Sequence, residues 1–241
     1  MPTVSYKERR GQIEAYFDRT AAEAWKRLTS DAPVSGIRAT VRAGRDQMRA
    51  TLLDWLPADL TGRRLLDAGC GTGLLTLAAA QRGAQVYAVD LAPTLIDNAR
   101  ARLPAELAGQ VDYAVGDMLA PDQGDFDHIV AMDSLIHYDL ADALDVIAGF
   151  CERARVSVLV TFAPRTPLLA LMHAVGQFFP RSDRSPAIVP VAEHKLLAAI
   201  AADPRLAGWQ AGRMRRIAHG FYTSQGLELV PRPVPMGAAR A

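Results

Sequence analysis

The sequence predicts an α/β protein: a doubly wound, mostly parallel seven-stranded sheet with an N-terminal helical arm and a lid insertion. Three observations support this. From residue 63 onward, short apolar strands alternate with helical segments. At that spacing, right-handed crossovers give a parallel sheet with helices on both faces. The first strand runs into a glycine cluster, Gly69-Cys70-Gly71-Thr72-Gly73, that opens a helix. After a proline-rich interruption, two extended segments at 208–218 and 219–230 complete the strand count.

The arm, 1–60, reads as two helices. Over 5–30, Ile13, Tyr16, Phe17, Trp25 and Leu28 fall mostly at helical spacing. Ser35-Gly36 breaks the pattern. A second helix runs from about 37 to 55, with Ile37, Val41, Met48 and Leu52 on one side and Pro57 and Gly62 closing it. The core, 61–163, carries strands at 64–67, 85–90, 111–115, 126–132 and 156–162, and helices at 73–82, 93–102 and 139–152. A lid and its helix occupy 164–206. Pro164, Pro167, Pro180, Pro186 and Pro190 surround an apolar run at 168–179, and the helix spans 191–202. Residues 207–241 supply the last strands and a loose tail, 231–241.

Composition limits what this fold does. Half of the 241 residues are apolar, so the chain can bury a sizeable core. A formal charge of +1 argues against a dedicated nucleic-acid binder. Cys70 and Cys151, the two cysteines, make neither a disulfide framework nor a structural zinc site alone. They suit a reducing, cytoplasmic setting. No apolar run is long enough for a membrane span, and the N-terminus lacks the apolar segment of a secretory signal. The charge is uneven: residues 61–162 balance to −7 and residues 163–241 to +6. The basic part is either a solvated surface or a patch for an anionic ligand.

The glycine loop, preceded by Leu65-Leu66-Asp67-Ala68, is the strongest local signal. Gly69, Gly71 and Gly73 suit close approach of backbone to a ligand, or simply a tight strand–helix turn. The residues that follow favour the ligand. Asp90 ends the next strand, where a carboxylate meets ribose hydroxyls in a doubly wound fold, with Leu91 next to it. Asp117, followed by Met118, stands after the third strand, placed to accept from an exocyclic amine. Asp133 follows the fourth. One such aspartate could be a helix N-cap; four at one edge are not readily explained that way. Asp67, directly before the glycines, would repel a pyrophosphate. A cationic, phosphate-free nucleoside would be welcomed, and S-adenosylmethionine (SAM) has that character, with a sulfonium and an ammonium group.

Asp67-Ala68-Gly69-Cys70-Gly71-Thr72-Gly73 resembles motif I of class I SAM-dependent methyltransferases, and Asp90, Asp117 and the 126–138 segment resemble their later motifs. A second resemblance covers nearly the whole chain. Tyr16-Phe17-Asp18-Arg19-Thr20, Trp25-Lys26-Arg27 and Val41-Arg42-Ala43-Gly44-Arg45 look like the arm of magnesium-protoporphyrin IX methyltransferases. Leu135-Ile136-His137-Tyr138, Thr161-Phe162-Ala163-Pro164-Arg165-Thr166, Gly176-Gln177-Phe178-Phe179-Pro180, Asp183-Arg184-Ser185-Pro186 and Gly220-Phe221-Tyr222-Thr223-Ser224 are similar to later segments of the same family. One departure is that Leu28-Thr29-Ser30-Asp31 stands where members often carry Tyr-Gly-Asp, so that tyrosine's role does not carry over.

The resemblance implies methyl transfer from SAM to the 13-position propionate of magnesium-protoporphyrin IX, in chlorophyll or bacteriochlorophyll synthesis. A quinone or another small carboxylic acid is the alternative substrate. A propionate is already ionised at neutral pH, so orientation and desolvation matter more than a strong base. His137 is the candidate catalytic residue, as orienter, base or ligand to the macrocycle's magnesium; the bland reading is packing beside Tyr138. Arg165, Arg184 and His173 are candidates for substrate binding, though the arginines could merely solvate a loop. Arg42 could pair with the SAM carboxylate. No enzyme-bound metal is expected. The expected partners are the porphyrin and the porphyrin-binding subunit of magnesium chelatase, with peripheral contact to the photosynthetic membrane admitted.

Overall fold

A computed structural model describes residues 3–16, 36–120, 123–165 and 188–233. Helix α1 spans Val4–Tyr16 and α2 Gly36–Trp55. The core follows as β1 (Arg64–Ala68), α3 (Leu74–Gln81), β2 (Gln85–Asp90), α4 (Pro93–Arg102), β3 (Val111–Val115), β4 (Phe126–Ala131), α5 (Leu140–Arg153) and β5 (Ala154–Phe162). Then come α6 (Glu193–Ala202), β6 (Trp209–His219) and β7 (Tyr222–Pro231). The sheet order is β3-β2-β1-β4-β5-β7-β6. β1 to β5 pair in parallel, and β7 runs antiparallel to both β5 and β6.

Alternation along each strand sends side chains to two apolar layers. Leu66, Ile129, Val158 and Val160 face α5, α6 and Tyr6 of α1. Leu65, Val130 and Leu159 face α2, α3 and α4. Met48 and Leu52 of α2 are wholly buried on this second face. Truncating either to alanine would cost about 2–5 kcal/mol. Gly226 of β7 has no side chain where Trp55 and Met48 press in; a Cβ there would lie 3.2 Å from the Trp55 ring. Arg213 ties the end of α2 to the sheet. It donates to the Trp55 carbonyl at 2.6 Å and pairs with Glu228.

Element edges differ from the sequence expectation where the chain finds other partners. The helix expected at 191–202 starts at Glu193, because Pro164 and Val191 form a parallel bridge and the Val191 N–H donates to the Ala163 carbonyl at 2.9 Å. The strand expected from 219 starts at Tyr222, because Gly220 turns the chain with φ 57°. Of the helix expected over 5–30, the described part ends at Tyr16; Phe17, Trp25 and Leu28 lie outside the described residues. So does most of the expected lid, 166–187, and the tail from 234.

Candidate SAM and substrate site

A cavity of about 320 Å³ lies at the C-terminal edge of the parallel strands. An open α/β sheet binds ligands at that edge, where strand order reverses. Here the reversal falls between β1 and β4.

Gly69 to Thr72 of the glycine loop line the cavity, whereas Gly73 packs against Tyr113 and Ala99 and does not. Gly69, Gly71 and Gly73 all have positive φ, a region that other residues occupy at a cost. A Cβ on Gly69 would collide with the Ser134 side chain, so the loop also needs glycine for space. The Ser134 hydroxyl donates to the Ala68 carbonyl at 2.6 Å. The N–H groups of Gly69 and Cys70 bond the Val89 carbonyl, which seats the loop on the end of β2.

The four aspartates have distinct surroundings. Asp67 is 2% exposed and accepts a 2.6 Å hydrogen bond from Thr76. Burial, with a smaller contribution from Asp90, pushes its carboxyl up to about 7. Asp90 accepts from the Gly71 and Ala92 N–H groups at 2.8 and 3.0 Å. Its pKa is raised by burial, partly offset by those bonds. Asp67, Asp90, Leu91 and Met118 all line the cavity. Asp117 does not. Its carboxylate accepts from the Tyr6 hydroxyl at 2.7 Å and from Arg10 at 2.8 Å, so α1 sits where an adenine amine was expected. Tyr6 also stacks on Tyr138, with ring centroids 5.0 Å apart.

Asp133 lines the cavity, but its carboxylate is already engaged. Arg45 approaches at 2.5 Å, the Tyr222 hydroxyl at 3.0 Å and the Ser224 hydroxyl at 3.3 Å. Its φ of 57° is the one positive value among the described non-glycine residues, and its N–H donates to Thr161 at 2.7 Å. Aspartate tolerates that conformation better than most residues.

His137 closes a short 3₁₀ turn, Leu135–His137, is 5% exposed and lines the cavity. Arg42 also lines it, with Arg45 and Arg49 one turn and two turns further along α2. Arg165 is exposed just past β5 and does not line the cavity. Arg184 and His173 lie outside the described residues. His128 is buried in β4 and shares a 2.8 Å hydrogen bond with Ser157, which gives it a structural place. Cys70 and Cys151 are buried free thiols. Among the described residues no cluster of histidine, cysteine or carboxylates could hold a metal ion.

Sequence reasoning missed Arg45 and Arg49 as site residues, along with Tyr6, Tyr222 and Ser224. The arginines were legible: positions 42, 45 and 49 share one helical face. The tyrosines and Ser224 reach the site only through long-range docking.

The acidic lining and positive-φ glycine loop fit SAM, which is cationic at both its sulfonium and ammonium groups. Fold and loop together define a class I SAM-dependent methyltransferase, and a methyltransferase-domain family model matches residues 65–155. The model described as magnesium-protoporphyrin IX methyltransferase C-terminus matches residues 131–231. A magnesium-protoporphyrin O-methyltransferase of Rhodobacter capsulatus is 50% identical over 96% of this chain and 100% of its own. The crystal structure of magnesium protoporphyrin IX methyltransferase from Synechocystis PCC 6803 with bound SAH superposes with a TM-score of 0.80. It is 28% identical and covers 92% of this chain and 100% of its own. A ubiquinone biosynthesis O-methyltransferase of Xanthomonas oryzae is 39% identical, over 68% of this chain and 66% of its own. The chain belongs to the magnesium-protoporphyrin O-methyltransferase family.

Proposed function

We propose that this chain methylates the 13-position propionate of magnesium-protoporphyrin IX, in chlorophyll or bacteriochlorophyll synthesis. The observation that carries the reading is one cavity that joins the acidic glycine loop, the buried His137 and the α2 face of Arg42, Arg45, Asp46 and Arg49. The 50% identity to the Rhodobacter enzyme over 96% of the chain supports the same substrate. When bound, SAM supplies the methyl group. Gly69 and Gly71 bring backbone against it, Asp90 takes the ribose hydroxyls, and Asp67 faces the cationic end. Arg42 pairs with its carboxylate. His137 holds the incoming propionate in line, as a donor to the carboxylate oxygen that does not react. Burial strips water from both partners, which raises the nucleophilicity of an already ionised carboxylate.

Arg165, Arg184 and His173 belong to the proposal as contacts for the second propionate and the macrocycle. So does docking to the porphyrin-binding subunit of magnesium chelatase, since a flat apolar product is better handed on than released into water. Peripheral membrane contact is proposed on the same ground; among the described residues no helix is long and apolar enough to cross a bilayer.

Incubation with SAM and magnesium-protoporphyrin IX, separation of the ester and assignment of the methylated propionate by NMR tests the reading. Methylation of a quinone precursor in preference to the porphyrin would overturn it.

A further inference from the structure

Phe221 and Ile188 are exposed apolar side chains at the mouth of the cavity. Phe221 is 52% exposed and Ile188 36% exposed, and both line the same cavity as the glycine loop. The chain on either side of Phe221 is closely packed. Gly220, just before Phe221, packs against Thr40 of α2 so closely that a Cβ would lie 2.6 Å from the Thr40 Cβ. Tyr222, just after it, fills the space over Gly44, where a Cβ would lie 2.5 Å from its ring, and its hydroxyl is tied to Asp133. The turn is thus pinned on both sides while its aromatic ring is left outside the packing. On the other side, the Val189 N–H donates to the Ile136 carbonyl at 2.8 Å and anchors Ile188.

Two exposed apolar side chains on the wall of the cavity offer a ligand apolar contact beside the glycine loop. The cavity's 320 Å³ sits near the bottom of the size range for small-molecule pockets, enough for one modest ligand. With SAM in it, a cavity of this size leaves little room for a porphyrin as well. One propionate can reach in while the macrocycle remains at the mouth. We propose that Phe221 and Ile188 form the platform on which the macrocycle lies, and that they set its tilt so that the reacting propionate enters beside His137. This rests on the porphyrin reading above. A stacked ring brings contact area and offset π-stacking, and the close packing of Gly220 and Tyr222 leaves little backbone ordering to be added on binding.

The test uses the intact chain with Phe221→Ala, Ile188→Ala and Phe221→Trp. Phe221→Ala should raise KM for magnesium-protoporphyrin about tenfold, with kcat falling much less, SAH affinity unchanged by calorimetry and Tm within a degree or two. Ile188→Ala should act in the same direction and more weakly. The Phe221→Trp variant should keep near wild-type KM, and the added tryptophan emission should be quenched by magnesium-protoporphyrin. Wild-type KM in both alanine variants, with no quenching in Phe221→Trp, would overturn the platform while leaving the proposed activity standing. An altered oligomeric state at unchanged KM would assign the rim to self-association and also overturn it. A wild-type enzyme that neither binds nor methylates the porphyrin would overturn both readings.

Discussion

Asp133→Asn separates a structural tie from a ligand contact. Asparagine keeps the shape, one oxygen acceptor and the tolerance for a φ of 57°, and removes only the charge. The side chain of Asp133 is 5% exposed and that of Arg45 18% exposed. Losing one partner of a fully buried ion pair costs about 3–5 kcal/mol. Arg45 can recover some hydration, and the Tyr222 and Ser224 hydroxyls can still donate to the amide oxygen. The net loss should therefore be about 2–3 kcal/mol, comparable to a single charge-assisted hydrogen bond. Urea titration, followed by circular dichroism, should show a lower midpoint at unchanged slope. Arg45→Met should cost a similar amount, and the double variant should cost less than the sum by at least about 1 kcal/mol. Asp133→Ala should be worse than Asp133→Asn by about 1–2 kcal/mol, because alanine is strained in the left-handed region. A loss under about 0.5 kcal/mol for Asp133→Asn, with additive behaviour against Arg45→Met, would refute the reasoning.

His137→Ala should lower kcat roughly 10–1000-fold with SAM affinity nearly unchanged, and His137→Asn should restore part of the rate; steady-state kinetics and calorimetry check this. Asp90→Ala should weaken SAM and SAH binding by about 1.5–3 kcal/mol, and unchanged affinity would remove Asp90 from the cofactor site. Asp67 gives a pH signature. Its carboxyl sits at about 7 in the fold against an ordinary 3.8, so the stabilisation from its protonated form is full below the lower value and lost as pH rises through the higher one. A cationic ligand prefers the ionised form, so SAM affinity should rise across about pH 6–8, and Asp67→Asn should flatten both dependences.

The core was legible because its signals are local. The strands at 85–90 and 111–115 and the helix at 93–102 were expected at the bounds observed. In each, apolar patterning and the flanking glycine or proline agree. The four strand-end aspartates were equally plain. Their partners were not. That Asp117 answers to Tyr6 and Arg10, more than a hundred residues upstream, depends on how α1 lies on the folded sheet. That Asp133 is held by Arg45 and Tyr222 depends on α2 and β7 converging there. Neither periodicity nor motif spacing carries that information, because both describe only neighbours in sequence.

Strand order also determines when in its synthesis the chain can finish folding. β6 pairs only with β7, and β7 fills the gap beside β5, so the sheet closes only after residues 222–231 have emerged. The apolar stripe of α2, including Met48 and Leu52, packs against the sheet face that these strands extend. At about 5–20 residues per second, translation from Trp55 to Pro231 takes on the order of 10–35 s, and through that interval the stripe lacks its full cover. A ribosome stalled before residue 222 would therefore present the exposed helix of an unfinished chain to chaperones, with the arginine of α2 still waiting for the tyrosine that helps hold Asp133.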